Sequence, residues 1–475
     1  MATTRITFGE WLPDQPGLVG ALTVAKNVFP KAVGYGAFPE SVEFSGDASE
    51  DLNAVVAARS VDGDTKVIAG GFTKLFLLDS TDLSFDDISG TTYNSSFDWK
   101  FTQFGNTLVA ANGANTLQAY DLTTTGNFAV LDSGAPAAKF VTVVRDFVVT
   151  AWQPNNNARV QWSGINDPTT WSSSAVTQSD FQDVPDGGQI QGITGGEFGL
   201  VLLERSLFRM SYIGSPLVFQ FDNISRNLGC YEPNSVIQWQ GITYFLGDDG
   251  FYACDGQQVV GIGAEKVDRF FFNDADEGSF PEMSAAVDPI RNLIMWGYRN
   301  AGDLYRVLLY HVNTKRWSFI DTTLNRLAAY STPAITLEGV DTYSASIDAL
   351  QISLDSRFWQ GGKLQLGGIR GPKIVTFSGP SRTATIETSD LQTDGVSTML
   401  TLVKPLIDEG SSSVGVASRN SLADAITFGS QNSPSSENRV GVRTVGRYHR
   451  LRFQPTGNWS TAIGADIELQ QAGSR

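Results

Sequence analysis

The stretch from Ser235 to Gly263, SVIQWQGITYFLGDDGFYACDGQQVVGIG, constrains this chain more than any other. It divides into four short runs: Val236–Gln240, Ile242–Leu246, Phe251–Cys254 and Gln257–Ile262. Each run is rich in β-branched and aromatic residues. The breaks are Gly241, Gly247-Asp248-Asp249-Gly250 and Asp255-Gly256, which supply the backbone freedom that tight hairpins require. Four antiparallel strands in about 30 residues form one blade of a β-propeller.

The same unit recurs. Strand-like runs at 53–59, 66–70, 74–79 and 85–88 form a first copy, and those at 100–104, 107–111, 117–121 and 128–131 a second. A third begins at 139–144, 147–152 and 159–163. A fourth covers 190–194, 200–204, 207–212 and 218–221, and the opening stretch is the fifth. A sixth occupies 284–287, 293–298, 305–312 and 317–320. First strands recur every 40–50 residues or so, as propeller blades do. A further unit between Leu327 and Phe377, with a hairpin from Lys363, leaves six and seven blades both open.

The expected fold class is therefore all-β: a six- or seven-bladed β-propeller with an extended N-terminal arm and a C-terminal β-sandwich-like module. The expected boundaries are 1–50 for the arm, 51–380 for the propeller and 381–475 for the module. In the arm, Trp11, Pro13 and Asp14 are followed by Phe29-Pro30 and by Tyr35 and Phe38, which sit among glycines and prolines. Prolines exclude a central strand or a helix there. The rings suit pockets on another surface, either the chain's own propeller or a neighbouring subunit.

Composition narrows the function. At 475 residues the net charge is −16, which opposes nucleic-acid binding through a basic face. Two cysteines, Cys230 and Cys254, cannot staple a chain of this length and read as free thiols. The first residues have no signal-peptide pattern, and no apolar run is long enough for a spanning helix, so membrane insertion is not expected.

Chemistry is poorly supplied. His311 and His449 are the two histidines. No nucleophile elbow, zinc-ligand spacing or phosphate-binding glycine loop accompanies them. The run Asp274–Glu277 resembles a fragment of a calcium loop without its later ligands, and reads as a solvated turn or a cation site. No catalytic residue, cofactor or metal is expected. A basic run, Arg439, Arg443, Arg447, Arg450 and Arg452, stands against the acidic background. On a strand, Arg450 and Arg452 share one face while Leu451 and Phe453 take the other. That face is either solvated or meets an acidic neighbour.

The order of these pieces resembles a known family. Glu10–Gly17, Asn27-Val28-Phe29-Pro30 and Gly34-Tyr35-Gly36-Ala37-Phe38-Pro39 precede the propeller units, and Val160–Trp171, Leu203–Tyr212 and Asn227–Cys230 continue the pattern. The chain is similar in this to the tail nozzle, or hub, proteins of short-tailed bacteriophages, also called phage DNA-stabilisation proteins. The resemblance covers most of residues 8–300. It implies a non-enzymatic virion tail protein, made in the host cytoplasm and assembled as a homohexamer below the portal and adaptor. Tail fibre or tail needle proteins are further implied neighbours. Such a ring retains the genome and conducts double-stranded DNA during ejection without binding it specifically. Carboxylate walls fit that task, because they repel phosphates. On this reading Trp11, Pro13, Asp14, Phe29, Pro30, Tyr35, Phe38, Arg443, Arg447, Arg450 and Arg452 are assembly residues. The competing expectation is a carbohydrate-binding or depolymerising propeller, with Trp152, Trp162, Trp171 and Trp239 stacking on sugars.

Overall fold

The computed structural model describes residues 2–17, 19–94, 97–331, 346, 364–392 and 396–472. Lys363, expected to open a hairpin, lies outside them. The chain is an all-β propeller joined to a β-sandwich. Among the described residues there are seven four-stranded antiparallel units. The first is Leu52–Arg59, Thr65–Gly71, Leu75–Leu78 and Phe85–Asp87. The fifth, which carries the clearest sequence signal, is Ile237–Trp239, Ile242–Leu246, Phe251–Cys254 and Val259–Gly261.

First strands of neighbouring units pack on one another, as Lys100–Phe104 does on Phe140–Val144 and Ser284–Asp288 on Arg326–Ser331. The first strand of the last unit, Arg326–Ser331, returns to pack on Leu52–Arg59 of the first. Strand alternation gives each interior strand two buried faces. Gly199–Leu203 and Leu293–Arg299 are apolar almost throughout for this reason, with neighbouring units covering both sides.

The last unit closes with a borrowed strand. Leu364–Arg370 and Lys373–Thr376 pair in sequence, but the outer strand is Val42–Glu43 from the N-terminal region. Lys373 Nζ fixes it through Glu43 at 2.7 Å. No local signal marks two residues as a strand. Their partner is set by ring closure.

The expected boundaries at 50 and 380 are both crossed by strand pairing. Leu22–Lys26 lies parallel to Arg316–Thr322, the outer strand of the sixth unit, and antiparallel to Thr385–Thr388. Thr385–Thr388 in turn pairs with Tyr448–Thr456. One sheet thus runs from propeller into sandwich. The opposing sheet contains Ala2–Thr7, Val28–Pro30, Tyr35–Ala37, Thr398–Ile407, Val440–Gly446 and Ala462–Gln471. A single apolar cluster joins Trp296 and Trp317 of the propeller, Trp11 and Tyr35 of the arm, and Leu451 and Ile467 of the sandwich.

Two glycines explain the Gly34-Tyr35-Gly36 pattern. Gly34 has φ +71°, and a Cβ there would lie 2.0 Å from the Ala462 carbonyl oxygen. A Cβ on Gly36 would enter the Phe29 ring at 2.5 Å. Both backbones approach their neighbours more closely than any side chain permits.

Candidate functional site

The assembly residues expected in the arm lie inside their own chain. Trp11 is 1% exposed, and Tyr35 and Phe38 are fully buried. Trp11 meets Phe270 and Phe319 with ring centroids 5.1 Å away, and its indole nitrogen donates to the Thr23 carbonyl at 3.1 Å. Phe38 packs on Phe377, and Phe29 lies beside Lys31 and Arg291. Pro30 is buried in the short strand opposite Tyr35. Asp14, next to Pro13, accepts from the Arg269 and Phe270 amides at 3.0 and 2.8 Å. It thereby satisfies free donors at the start of the helix Asp268–Asp274. Of the two surfaces open to the arm, the chain's own is the one it occupies.

The basic run divides. Arg450 donates to Asp390 at 3.1 Å, and Arg419 shares the same carboxylate. Arg452 pairs with Glu387 at 2.6 Å and covers the Phe428 ring at 3.9 Å. Both expected alternatives for this pair of arginines, solvent and a neighbour, give way to intrachain partners. Leu451 and Phe453 point to the core, as the alternation implies. Arg443 and Arg447 remain exposed, and neither forms an ion pair among the described residues. Arg443 lies on Val440–Gly446, which ends its sheet and leaves one edge unpaired there.

The expected turn at Asp274–Glu277 is partly helix. Asp274 is engaged by Arg306 at 2.8 Å and by the Tyr298 hydroxyl at 2.8 Å. Among the described residues no group of three or more His, Cys, Asp or Glu side chains could hold a metal ion. His449 is buried between the Thr398 and Ser418 hydroxyls at 2.9 and 2.8 Å, and His311 Nδ1 accepts from the Thr314 amide. Trp162 and Trp171 are buried and offer no ring to a sugar. Cys230 and Cys254 are free and buried.

Sequence reading missed a cluster at one mouth of the propeller axis. Asp98 and Lys100 start the second unit, Lys139 precedes the third, Glu232 and Asn234 precede the fifth, and Arg326 starts the last. A cavity of about 320 Å³ lies among Asp98, Lys100, Asn234 and Arg326. Glu232 caps the short helix Pro233–Ser235, accepting from the Asn234 amide at 3.0 Å. The Ser235 carbonyl accepts from the Trp296 indole, which fixes this turn against the sixth unit. Asn234 Oδ1 accepts from Lys100 Nζ at 2.9 Å, and Asn234 Nδ2 donates to the Pro281 carbonyl at 3.0 Å and to Asp98 Oδ2 at 3.4 Å. Arg326 Nε donates to the same Asp98 oxygen at 3.2 Å. Lys139 lies over the Phe97 ring at 4.3 Å. Burial pushes the Lys100 and Lys139 amines down and the Glu232 carboxyl up. Four distant segments supply these side chains, so no motif announces them.

A second concavity, about 670 Å³, lies where the arm crosses the fifth unit, among Asp14, Tyr252, Glu265 and Asp268. Burial, reinforced by Asp14 and Asp249, pushes the Asp268 carboxyl up to about 7, against the Phe251 amide that it accepts at 3.1 Å. A carboxyl raised in the folded state contributes most below its unfolded pKa, and stability falls as pH rises through about 7. Asp268→Asn should therefore be more stable than the parent at pH 8, by about 2 kcal/mol, and lose that advantage near pH 4. Thermal melts across this range measure it. An equal gap at both pH values would contradict the assignment.

No helix among the described residues is long and apolar enough to cross a membrane. No family model and no curated protein matches the chain. Solved structures do resemble it. A chain of the crystal structure of the mitotic checkpoint complex aligns at 11% identity and TM-score 0.41, over 74% of this chain and 98% of that one. The crystal structure of BamB from Moraxella catarrhalis aligns at 12% identity and TM-score 0.37, over 69% of this chain and 92% of that one.

Proposed function

We propose that this chain is a structural, non-enzymatic subunit of a tail nozzle in a short-tailed bacteriophage, acting as a homohexameric ring below the portal and adaptor. Its role is to retain the packaged genome and conduct DNA outward. The observation that carries this reading is the place of the arm. Phe8, Trp11, Leu22, Val28 and Tyr35, from the N-terminal part of the stretch that bears the resemblance, lie in the joint between propeller and sandwich, within one shared core. A joint made of paired strands and buried rings holds two bodies at a fixed angle, which suits a load-bearing subunit. The net charge of −16 suits a wall along which phosphates slide. The edge strand Val440–Gly446, with exposed Arg443 and the adjacent exposed Arg447, supplies an open edge for a neighbour.

Cryo-electron microscopy of the purified chain, alone and with the portal–adaptor ring of its particle, tests the proposal. The expected image is a closed six-fold ring seated on the adaptor. A chain that stays monomeric, never joins particles and binds glycan instead would overturn it.

A further inference from the structure

We propose that Lys100 and Asn234 join in a self-formed isopeptide bond across the mouth of the propeller axis. The two residues are 134 positions apart and come from separate units, yet Lys100 Nζ lies 2.9 Å from Asn234 Oδ1. The carboxamide cannot swing away. Its nitrogen is held by the Pro281 carbonyl at 3.0 Å, and its backbone amide by Glu232 at 3.0 Å. Lys100 donates to no carboxylate among the described residues. Its one hydrogen-bond acceptor there is the neutral amide it would attack. Orientation of this kind replaces a collision by a standing approach.

Burial favours the neutral amine, the form with a free electron pair. In the proposed step the Lys100 amine, its extra proton lost to solvent, attacks Asn234 Cγ, and the carbonyl electron pair moves onto Oδ1. One proton then passes from Nζ to Nδ2. Asp98 Oδ2, 3.4 Å from Nδ2 and itself held by Arg326 Nε at 3.2 Å, orients the leaving nitrogen to receive it. The tetrahedral adduct collapses, the C–Nδ2 bond breaks and ammonia leaves. Amine and carboxamide become a secondary amide plus ammonia, with no oxidant or co-reactant. Asp98 is the catalytic residue, since it touches a reacting atom, whereas Glu232 is a positioning residue. The product ties the second unit to the turn before the fifth, across the axis. It closes a long loop covalently and restricts the unfolded chain as a disulfide would, without a redox requirement. The inference does not depend on the tail assignment.

Intact-mass spectrometry of the purified full chain, before and after prolonged incubation at alkaline pH, tests it. The expected mass falls short of the sequence by one ammonia, and digestion releases a branched peptide joining Lys100 to Asn234. Lys100→Arg and Asn234→Ala should each restore the full mass. Asp98→Asn should slow the loss while leaving the fold intact by circular dichroism. A parent chain that keeps its full mass, with Lys100 in a linear peptide, overturns the proposal. So does ammonia loss traced to a succinimide in a linear peptide, or persisting in Lys100→Arg. Bond formation at the parent rate in Asp98→Asn would remove Asp98 from the step.

Discussion

Trp11→Ala should destabilise the whole chain by about 3–5 kcal/mol. The indole is 1% exposed and lies between Phe270 of the helix after the fifth unit and Phe319 of the sixth. Truncation removes its apolar contacts, opens a cavity and leaves the Thr23 carbonyl without its indole donor. The site cannot collapse easily. Strand pairing holds Leu22–Lys26 on one side, and Arg316 holds the Phe8 and Gly9 carbonyls on the other. Because the cavity falls in a core shared by propeller and sandwich, both should loosen together. Urea unfolding followed separately by tryptophan fluorescence and far-ultraviolet circular dichroism measures this. A single transition moved to much lower urea is expected. A loss under about 1 kcal/mol, or one confined to a minor phase, would mean that the arm is peripheral to the core.

Charge reversal in the basic run should separate folding from assembly. Arg450→Glu places a carboxylate beside Asp390, and Arg452→Glu places one beside Glu387. Asp390 and Glu387 side chains are only 14% and 10% exposed, so the repulsion is poorly screened and the paired charge is lost. Each reversal should cost about 3–5 kcal/mol of stability. Arg443→Glu with Arg447→Glu should instead change stability by less than about 0.5 kcal/mol, because both side chains are exposed and without an ion-pair partner among the described residues. If the edge Val440–Gly446 receives an acidic neighbour, this double variant folds normally and fails to form rings. Melting temperature and light scattering, taken on all four proteins, decide it. A stable Arg450→Glu chain would show that its ion pair carries little. Intact rings from Arg443→Glu/Arg447→Glu would show that the edge is not the contact.

The strands and turns of the propeller units were legible because their determinants are local. Gly241, Asp248-Asp249-Gly250 and Asp255-Gly256 do fall between the strands of the fifth unit. In Tyr448–Thr456 the buried positions alternate, with His449, Leu451 and Phe453 inward. A period of two and a turn residue with the right backbone freedom act within a few positions, whatever the remainder of the chain does. The site was not legible in this way. Lys100 is ordinary until ring closure brings Asn234 to it, and Arg450 reads as a surface charge until Asp390 arrives from the strand connection across the sandwich.

The sequence by itself determined an all-β chain of repeated four-stranded units, an aromatic and proline-rich arm, and an acidic balance. The tertiary structure alone decided where those pieces end. It gave the last unit its outer strand from Val42–Glu43, ran Leu22–Lys26 between the sixth unit and Thr385–Thr388, and buried the rings of the arm at that joint. The reason is physical. An open strand edge accepts any backbone with free amides and carbonyls, so pairing across hundreds of positions depends on which edges ring closure leaves open, and not on the residues that fill them.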